Sequence, residues 1–317
     1  MTRTTSTPTT KDVHRIAESF ADESIVSLHR YETGMCHWVY RCETAGGQTF
    51  VLRVARPQNS AYIRGGITIT THLTDAGVPV ARLLGGDPDG HESGYPWMAV
   101  EHLPGRDLRY VYEDLSSRQK SRLASQIADI QRRVAHCVES TDFGYVHSPD
   151  DTAAHSTFDG VVDELIERSK TWLSDTTLDA SEEVELVEQR IEQFRPVLTE
   201  LSPTAFLEDL TTKNVLVYQG RLTGIVDVDE LCFGDPMIWV GLTRMSLLNI
   251  GHNADYIDYL LDELDARPED RQRCDFYTGL FAFVFLSEQG INFNQRRDDS
   301  LDHERVQTLR KLLRQWL

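Results

Sequence analysis

The sequence predicts an α+β chain of two lobes: a small β-rich N-lobe over 13–103 and a larger, mainly helical C-lobe over 104–317. Three observations carry this. The length of 317 residues exceeds what one hydrophobic core usually serves. Strand-like stretches cluster ahead of residue 104, with one helical stretch inserted after the third strand. From Leu115 onward the pattern turns helical and is interrupted by two short strands within 206–230.

The elements follow in order. Residues 1–12, "MTRTTSTPTTKD", are polar and Thr-rich and read as a disordered tail. "VHRIAESFA" (13–21) has helical spacing. Residues 24–57 read as three strands: one ending near Thr33-Gly34, then "HWVYRCE", the turn "TAGGQ", and "TFVLRVA" closed by Pro57. A helix is expected from about Ser60 to Asp75, with Gly77 beyond its end, although Gly65, Gly66 and several Thr make its composition poor. "VPVARLLGG" and "YPWMAVEHLPG" supply two more strands, and the Pro and Gly of "HLPGRD" mark the lobe boundary near 102–106. Beyond it, "SSRQKSRLASQIADIQRRVAHC" places Leu123, Ile127, Ile130 and Val134 on one helical face. Residues 158–173 and 183–200 are further helices, and helices resume after Asp235-Pro236, an N-cap followed by Pro at the first helical position.

Composition narrows the function classes. Apolar residues at 40% and charged residues at 26% are ordinary for a globular chain. Asp and Glu number 50 against 32 Lys and Arg, a net charge of -18, which argues against a nucleic-acid binder. That balance suits either a solvated acidic surface or attraction of a cationic substrate. No stretch of about 18 apolar residues occurs, so no membrane span is expected, and the N-terminus lacks the apolar core of a signal peptide. Cys36, Cys42, Cys137, Cys232 and Cys274 are scattered, odd in number and form no C-x2-C pair, as expected of reduced cytoplasmic thiols.

The chemistry concentrates in "FLEDLTTKNVLVYQGRLTGIVDVDE" (206–230). Its hairpin, "VLVY-QG-RLTGIVD", turns at Gln219-Gly220. Asp209 and Asn214 flank the loop feeding the first strand, and Asp227 ends the second. The hairpin can therefore gather two carboxylates and an amide carbonyl at one edge, a hard-oxygen set suited to Mg2+ with nucleotide phosphates as the remaining ligands.

D-x4-N followed by a strand-end Asp resembles the catalytic core of the protein-kinase-like fold. More narrowly, the chain is similar to the aminoglycoside phosphotransferase and choline kinase family of small-molecule kinases. "GIVDVDELCFGDP" resembles that family's metal-binding stretch, "MAVEHLPGRDL" its hinge, "TFVLRVARP" its third strand and "AGVPVARLL" the approach to its fourth. The matches run in order from about 30 to 245.

The resemblance implies roles. Asp209 would accept or orient the substrate hydroxyl proton, and Asn214 and Asp227 would hold Mg2+ against the phosphates of ATP. Arg53 stands at the place of the third-strand Lys and would contact phosphates. Val100, Glu101, His102 and Leu103 would line the adenine site, with the backbone of Glu101 and Leu103 doing the hydrogen bonding. Gly34 would let its loop approach the phosphates. Lys213, directly before Asn214, would neutralise the transferring phosphoryl group. Asp229 reads equally as an aid to the metal site or as a solvated strand-end carboxylate, and Asp235 reads as a helix cap. Phe276, Tyr277, Phe281, Phe283 and Phe285 read as core, and the acidic stretch 252–272 as a solvated helix face.

Three positions depart from the family pattern. Leu207 replaces a loop-bracing His. Gly66 stands where the N-lobe helix would carry a Glu, and no Asp or Glu occurs between Arg56 and Thr74. The basic residue is Arg53 and not Lys. Arg53 is therefore expected to lack a carboxylate partner and to grip phosphate with its planar fork. The expected activity is ATP- and Mg2+-dependent transfer to a hydroxyl of a small molecule, an aminoglycoside, another sugar or an amino alcohol. A nucleotide-binding pseudokinase is the alternative that Leu207 and Gly66 favour. The oligomeric state is not legible.

Overall fold

A computed structural model describes residues 7–31, 37–289 and 301–317. The chain begins with α1 (Thr10–Ala21), whose first turn is closed by a capping box between Thr9 and Asp12. This cap starts the helix inside the segment 1–12 expected as a tail. Then come β1 (Ile25–Tyr31), β2 (Trp38–Thr44), β3 (Thr49–Val54), α2 (Ser60–Asp75), β4 (Leu83–Asp87) and β5 (Trp97–Glu101). They form one antiparallel five-stranded sheet in the order β1-β2-β3-β5-β4.

Period-2 alternation sorts this sheet's two faces. Phe50, Leu52 and Val54 of β3 pack with Trp38, Tyr40 and Cys42 of β2 against Val13, Ile16 and Ala17 of α1. The opposite face carries Val51 and Arg53 of β3 and Met98 and Val100 of β5, which border a cleft. The predicted strand "VPVARLLGG" is shorter than expected. Its first half leaves the sheet, and Val80 forms a parallel bridge with Ile225 while the Ile225 N–H donates to Pro79.

The chain then passes through β6 (Arg106–Asp107), α3 (Leu108–Val111), α4 (Ser117–Cys137), β7 (Gly144–Val146), α5 (Phe158–Ser174) and α6 (Ser181–Leu198). Four short strands follow: β8 (Thr204–Phe206), β9 (Val215–Tyr218), β10 (Arg221–Ile225) and β11 (Leu231–Gly234). The last helices are α7 (Met237–Asn249), α8 (Asp255–Glu263), α9 (Pro268–Ser287) and α10 (His303–Trp316). The short strands build two small sheets, β10-β9-β6 and β7-β11-β8. Between β9 and β10 the turn residues Gln219 and Gly220 both have positive φ, the geometry a two-residue hairpin demands.

One large core unites the helices, with Leu123, Ile127, Val134, Trp239, Phe276 and Phe283 among its buried members. Phe281 and Tyr277 are buried in it and Phe285 packs at its edge, so these aromatics are core. Asp235 caps the start of α7 through the Met237 N–H at 3.0 Å, and it also accepts from Arg273 Nε at 2.6 Å and Tyr277 Oη at 2.9 Å.

Candidate active site

Asp209 follows β8, and Asp227 follows β10. The two loops meet where the Val226 N–H donates to the Asn214 carbonyl at 3.0 Å. A cleft of about 400 Å3 opens there, between the Val51, Arg53, Met98 and Val100 face of β3 and β5 and the loops of the C-lobe. Arg53, Val100, Glu101, Leu103, Asp209, Lys213, Asn214 and Asp227 all line it. Gly34 lies outside the described residues.

The loop after β8 is held by its own groups. The Asn214 amide donates to the Asp209 carbonyl at 2.7 Å, which leaves its Oδ1 as an acceptor. The Asn214 N–H donates to Thr211, and the Val226 N–H donates to Asn214. Lys213 Nζ lies 2.8 Å from Asp209 Oδ2, and the Thr211 hydroxyl donates to Asp209 Oδ1 at 3.2 Å. Desolvation pushes the Asp209 carboxyl up, against the pull of Lys213. Lys213 is held above the usual lysine range by Asp209, although desolvation acts the other way.

Leu207 cannot brace this loop with its side chain, and a residue the sequence reading missed does so. Gln131 of α4, buried, donates from Nε2 to the Leu207 carbonyl at 2.8 Å and accepts from the Leu207 N–H at 3.0 Å. An amide that satisfies both backbone groups of one residue fixes the strand end without a His.

Arg53 overturns the expectation that it lacks a carboxylate. Its Nη1 donates to Asp229 Oδ1 at 2.7 Å and its Nη2 to Asp229 Oδ2 at 2.5 Å, a two-point grip. Nη2 also lies 2.6 Å from Asp227 Oδ1 and 2.9 Å from His37 Nδ1. The partner comes from the loop after β10 and not from α2, where the expectation had looked. Asp229 is buried, which excludes the reading of a solvated strand end. Desolvation pushes its carboxyl up while Arg53 pulls it down. Asp227 stays nearly half exposed, with 45% of its side chain accessible. Desolvation acts to raise Asp227 too, but the charges of Arg53 and Lys213 hold it below the usual range. Its backbone is left-handed at φ 65, a conformation Asp tolerates better than most residues and one often found at functional sites. His37, driven down to about 3 by burial and by Arg53, is neutral, so its Nδ1 accepts from Arg53.

At the other end of the cleft β5 runs into the hinge. The Glu101 N–H is taken by the Arg82 carbonyl at 2.9 Å, so a base could meet Glu101 only through its carbonyl. Leu103 packs over Gly224, where a Cβ would stand 2.5 Å from Leu103 Cδ1. Among the described residues no helix is long and apolar enough to cross a membrane.

The model of the phosphotransferase enzyme family matches residues 30–277. Among solved structures, aminoglycoside phosphotransferase APH(4)-Ia superposes with a TM-score of 0.70 at 17% identity, covering 96% of this chain and 99% of that one. A thermostable mutant of APH(4)-Ia in ternary complex with ADP and hygromycin B gives 0.67 at 18% identity, over 96% and 98%. The gentamicin complex of APH(2")-IIa gives 0.67 at 14% identity, over 98% and 97%. No curated protein matches. At such identities the superpositions establish the fold, a β-sheet N-lobe on a helical C-lobe as in the aminoglycoside kinases. Membership follows from the family match over most of the sequence: the chain belongs to the phosphotransferase enzyme family.

Proposed function

We propose that the protein transfers the γ-phosphoryl group of ATP, with Mg2+, to a hydroxyl of a small molecule. The observation that carries this reading is the meeting of Asp209, Lys213, Asn214 and Asp227 at one cleft whose far end is the β5 hinge. The domain reading follows from it: residues 13–103 hold the nucleotide, and 104–317 supply the catalytic loop and the acceptor site.

The donor set fits a hard divalent cation. Asn214 has its amide hydrogens turned to the Asp209 carbonyl and an oxygen to spare, and Asp227 is ionised and exposed. Asn214 and Asp227 would hold Mg2+, which when bound offsets the charge of the nucleotide phosphates. Asp209 orients the acceptor hydroxyl and takes its proton as the acceptor oxygen bonds to phosphorus and the bond to the ADP oxygen breaks. Desolvation makes Asp209 a better base than a carboxylate in water. Lys213, beside Asp209, places positive charge where the phosphoryl group passes. Val100, Glu101 and Leu103 take the adenine, Arg53 stands near the phosphates, and Gly34 belongs to the loop over them.

The acceptor class is a sugar, an aminoglycoside or an amino alcohol. A cationic acceptor suits the acidic wall that Glu230, and Glu208 once ionised above about 7, add to the cleft. A cytoplasmic setting belongs to the same reading, and Cys42, Cys137, Cys232 and Cys274 are free thiols. The two departures that favoured a pseudokinase have counterparts here: Gln131 braces the loop at Leu207, and Asp229 meets Arg53.

Asp209→Asn should abolish transfer and leave nucleotide affinity within about twofold, because the residue meets acceptor and not nucleotide. Mg-ATP turnover over a panel of sugars and amines, with calorimetry of AMP-PNP binding, measures both. Parental turnover in the variant would remove Asp209 from the mechanism.

A further inference from the structure

Arg53 is the buried cation of β3, and its surroundings do not balance one to one. Two carboxylates, Asp227 and Asp229, and the Nδ1 of His37 surround a single guanidinium. Nη2 carries two N–H groups but lies within 2.9 Å of three acceptors: Asp229 Oδ2, Asp227 Oδ1 and His37 Nδ1. One acceptor must go short. The fork on Asp229 uses both nitrogens and the geometry Arg prefers, so the second N–H of Nη2 is shared between Asp227 and His37.

The neighbouring helix explains how Asp229 comes to be there. A Cβ on Gly66 would stand 2.8 Å from Asp229 Oδ1 and 2.9 Å from Met98 Sδ. A Cβ on Gly65 would stand 2.7 Å from the Asp229 carbonyl and 3.0 Å from His147 Cβ. Both glycines are buried inside α2, where glycine weakens a helix. Their bare backbone is the space the Asp229 segment occupies.

We propose that Asp229 is a positioning residue: it occupies the Arg53 fork so that Asp227 keeps its charge for a cation, and Gly65-Gly66 of α2 admit it. This rests on the reading of Asp227 as a metal ligand. Without Asp229, the guanidinium turns its full fork onto Asp227 and competes with the metal. Asp229 thus protects a metal site without being one of its ligands.

The test is the Mg2+ concentration that gives half-maximal AMP-PNP binding, measured by calorimetry on the full chain. Asp229→Ala should raise it about 10–100-fold, the range seen when a partner of a metal ligand is lost. Adding Arg53→Met to Asp229→Ala should lower it several-fold from the Asp229→Ala value, because the competitor is gone, with Arg53→Met alone as the reference for any phosphate contact the guanidinium makes. Gly66→Ala should raise it in the parent and have no further effect in Asp229→Ala. Asp229→Asn replaces the Ala variant should that one fail to fold. An unchanged Mg2+ requirement in Asp229→Ala overturns the proposal. So does a double variant as impaired as Asp229→Ala, which would make Asp229 a ligand in its own right. A parent that binds no nucleotide at any Mg2+ concentration overturns the kinase reading instead. The pairing is then decided by ligand-free melting of Asp229→Ala, Arg53→Met and the double variant: additive losses sink it, and non-additive losses sustain it.

Discussion

Glu208 stands beside the proposed base and behaves differently from it. The Tyr145 hydroxyl donates to its carboxylate. Burial pushes Glu208 up to about 7, outweighing that hydrogen bond. An unfolded Glu titrates near 4.5. Between those values the folded chain keeps a proton that the unfolded chain has lost, so stability falls as pH rises through that window. Above about 7 both states are ionised, and the penalty stays constant. Glu208→Gln removes the titration. Its melting temperature relative to the parent should climb from pH 5 to about 7 and level off by pH 8. An offset that is the same at pH 5 and pH 8 would show that Glu208 ionises normally. At this scale the sequence was legible where chemistry is local. Asp209, Lys213 and Asn214 share one loop, and their spacing announces them. Asp229 and Arg53 lie 176 residues apart, and Gln131 and Leu207 lie 76 apart, so no local spacing could pair them.

At the scale of elements, periodicity found the longer pieces. The face of Leu123, Ile127, Ile130 and Val134 is buried as expected. The strands β7, β8 and β11 escaped, since three or four residues are too few to show alternation. Yet β11 is the central strand of its sheet and ends at Gly234, against which α5 presses the ring of Phe158. A Cβ at Gly234 would stand 2.0 Å from Phe158 Cε2 and 2.4 Å from Cδ2. Phe158 is fully buried and has little room to retreat. Gly234→Ala should therefore cost about 1–3 kcal/mol, the usual range for overpacking. The loss should shrink when Phe158→Leu is added, since the smaller side chain leaves room. Urea unfolding of the two single variants and the double variant measures this. A Gly234→Ala chain as stable as the parent would mean that β11 shifts freely against α5.

At the scale of the molecule, the division into lobes is softer than composition suggested. Ile69 and Leu73 of α2 and Val78 belong to the same buried core as the C-lobe helices, and Val80 bridges to Ile225. The cleft thus lies between parts joined both by the hinge and beneath α2. The net charge of -18 acts on this whole body. Glu230 extends the acidic balance to the wall of the cleft, beside Asp209 and Asp227, and Glu208 joins it once ionised above about 7. A field of one sign focused into a cleft raises the local concentration of an opposite charge and speeds its arrival. It does nothing for a neutral molecule. Salt separates the two cases, because the screening length falls from about 30 Å at 0.01 M to about 8 Å at 0.15 M. With ATP and Mg2+ saturating, kcat/KM for a polycationic acceptor should fall several-fold over that range, on the order of the 10-fold or greater effects that steering produces. A neutral sugar acceptor should change by less than about twofold, since only the charged partner feels the field. Equal salt dependence for both acceptors would mean that the acidic balance serves solubility, and that the cleft does not select for positive charge.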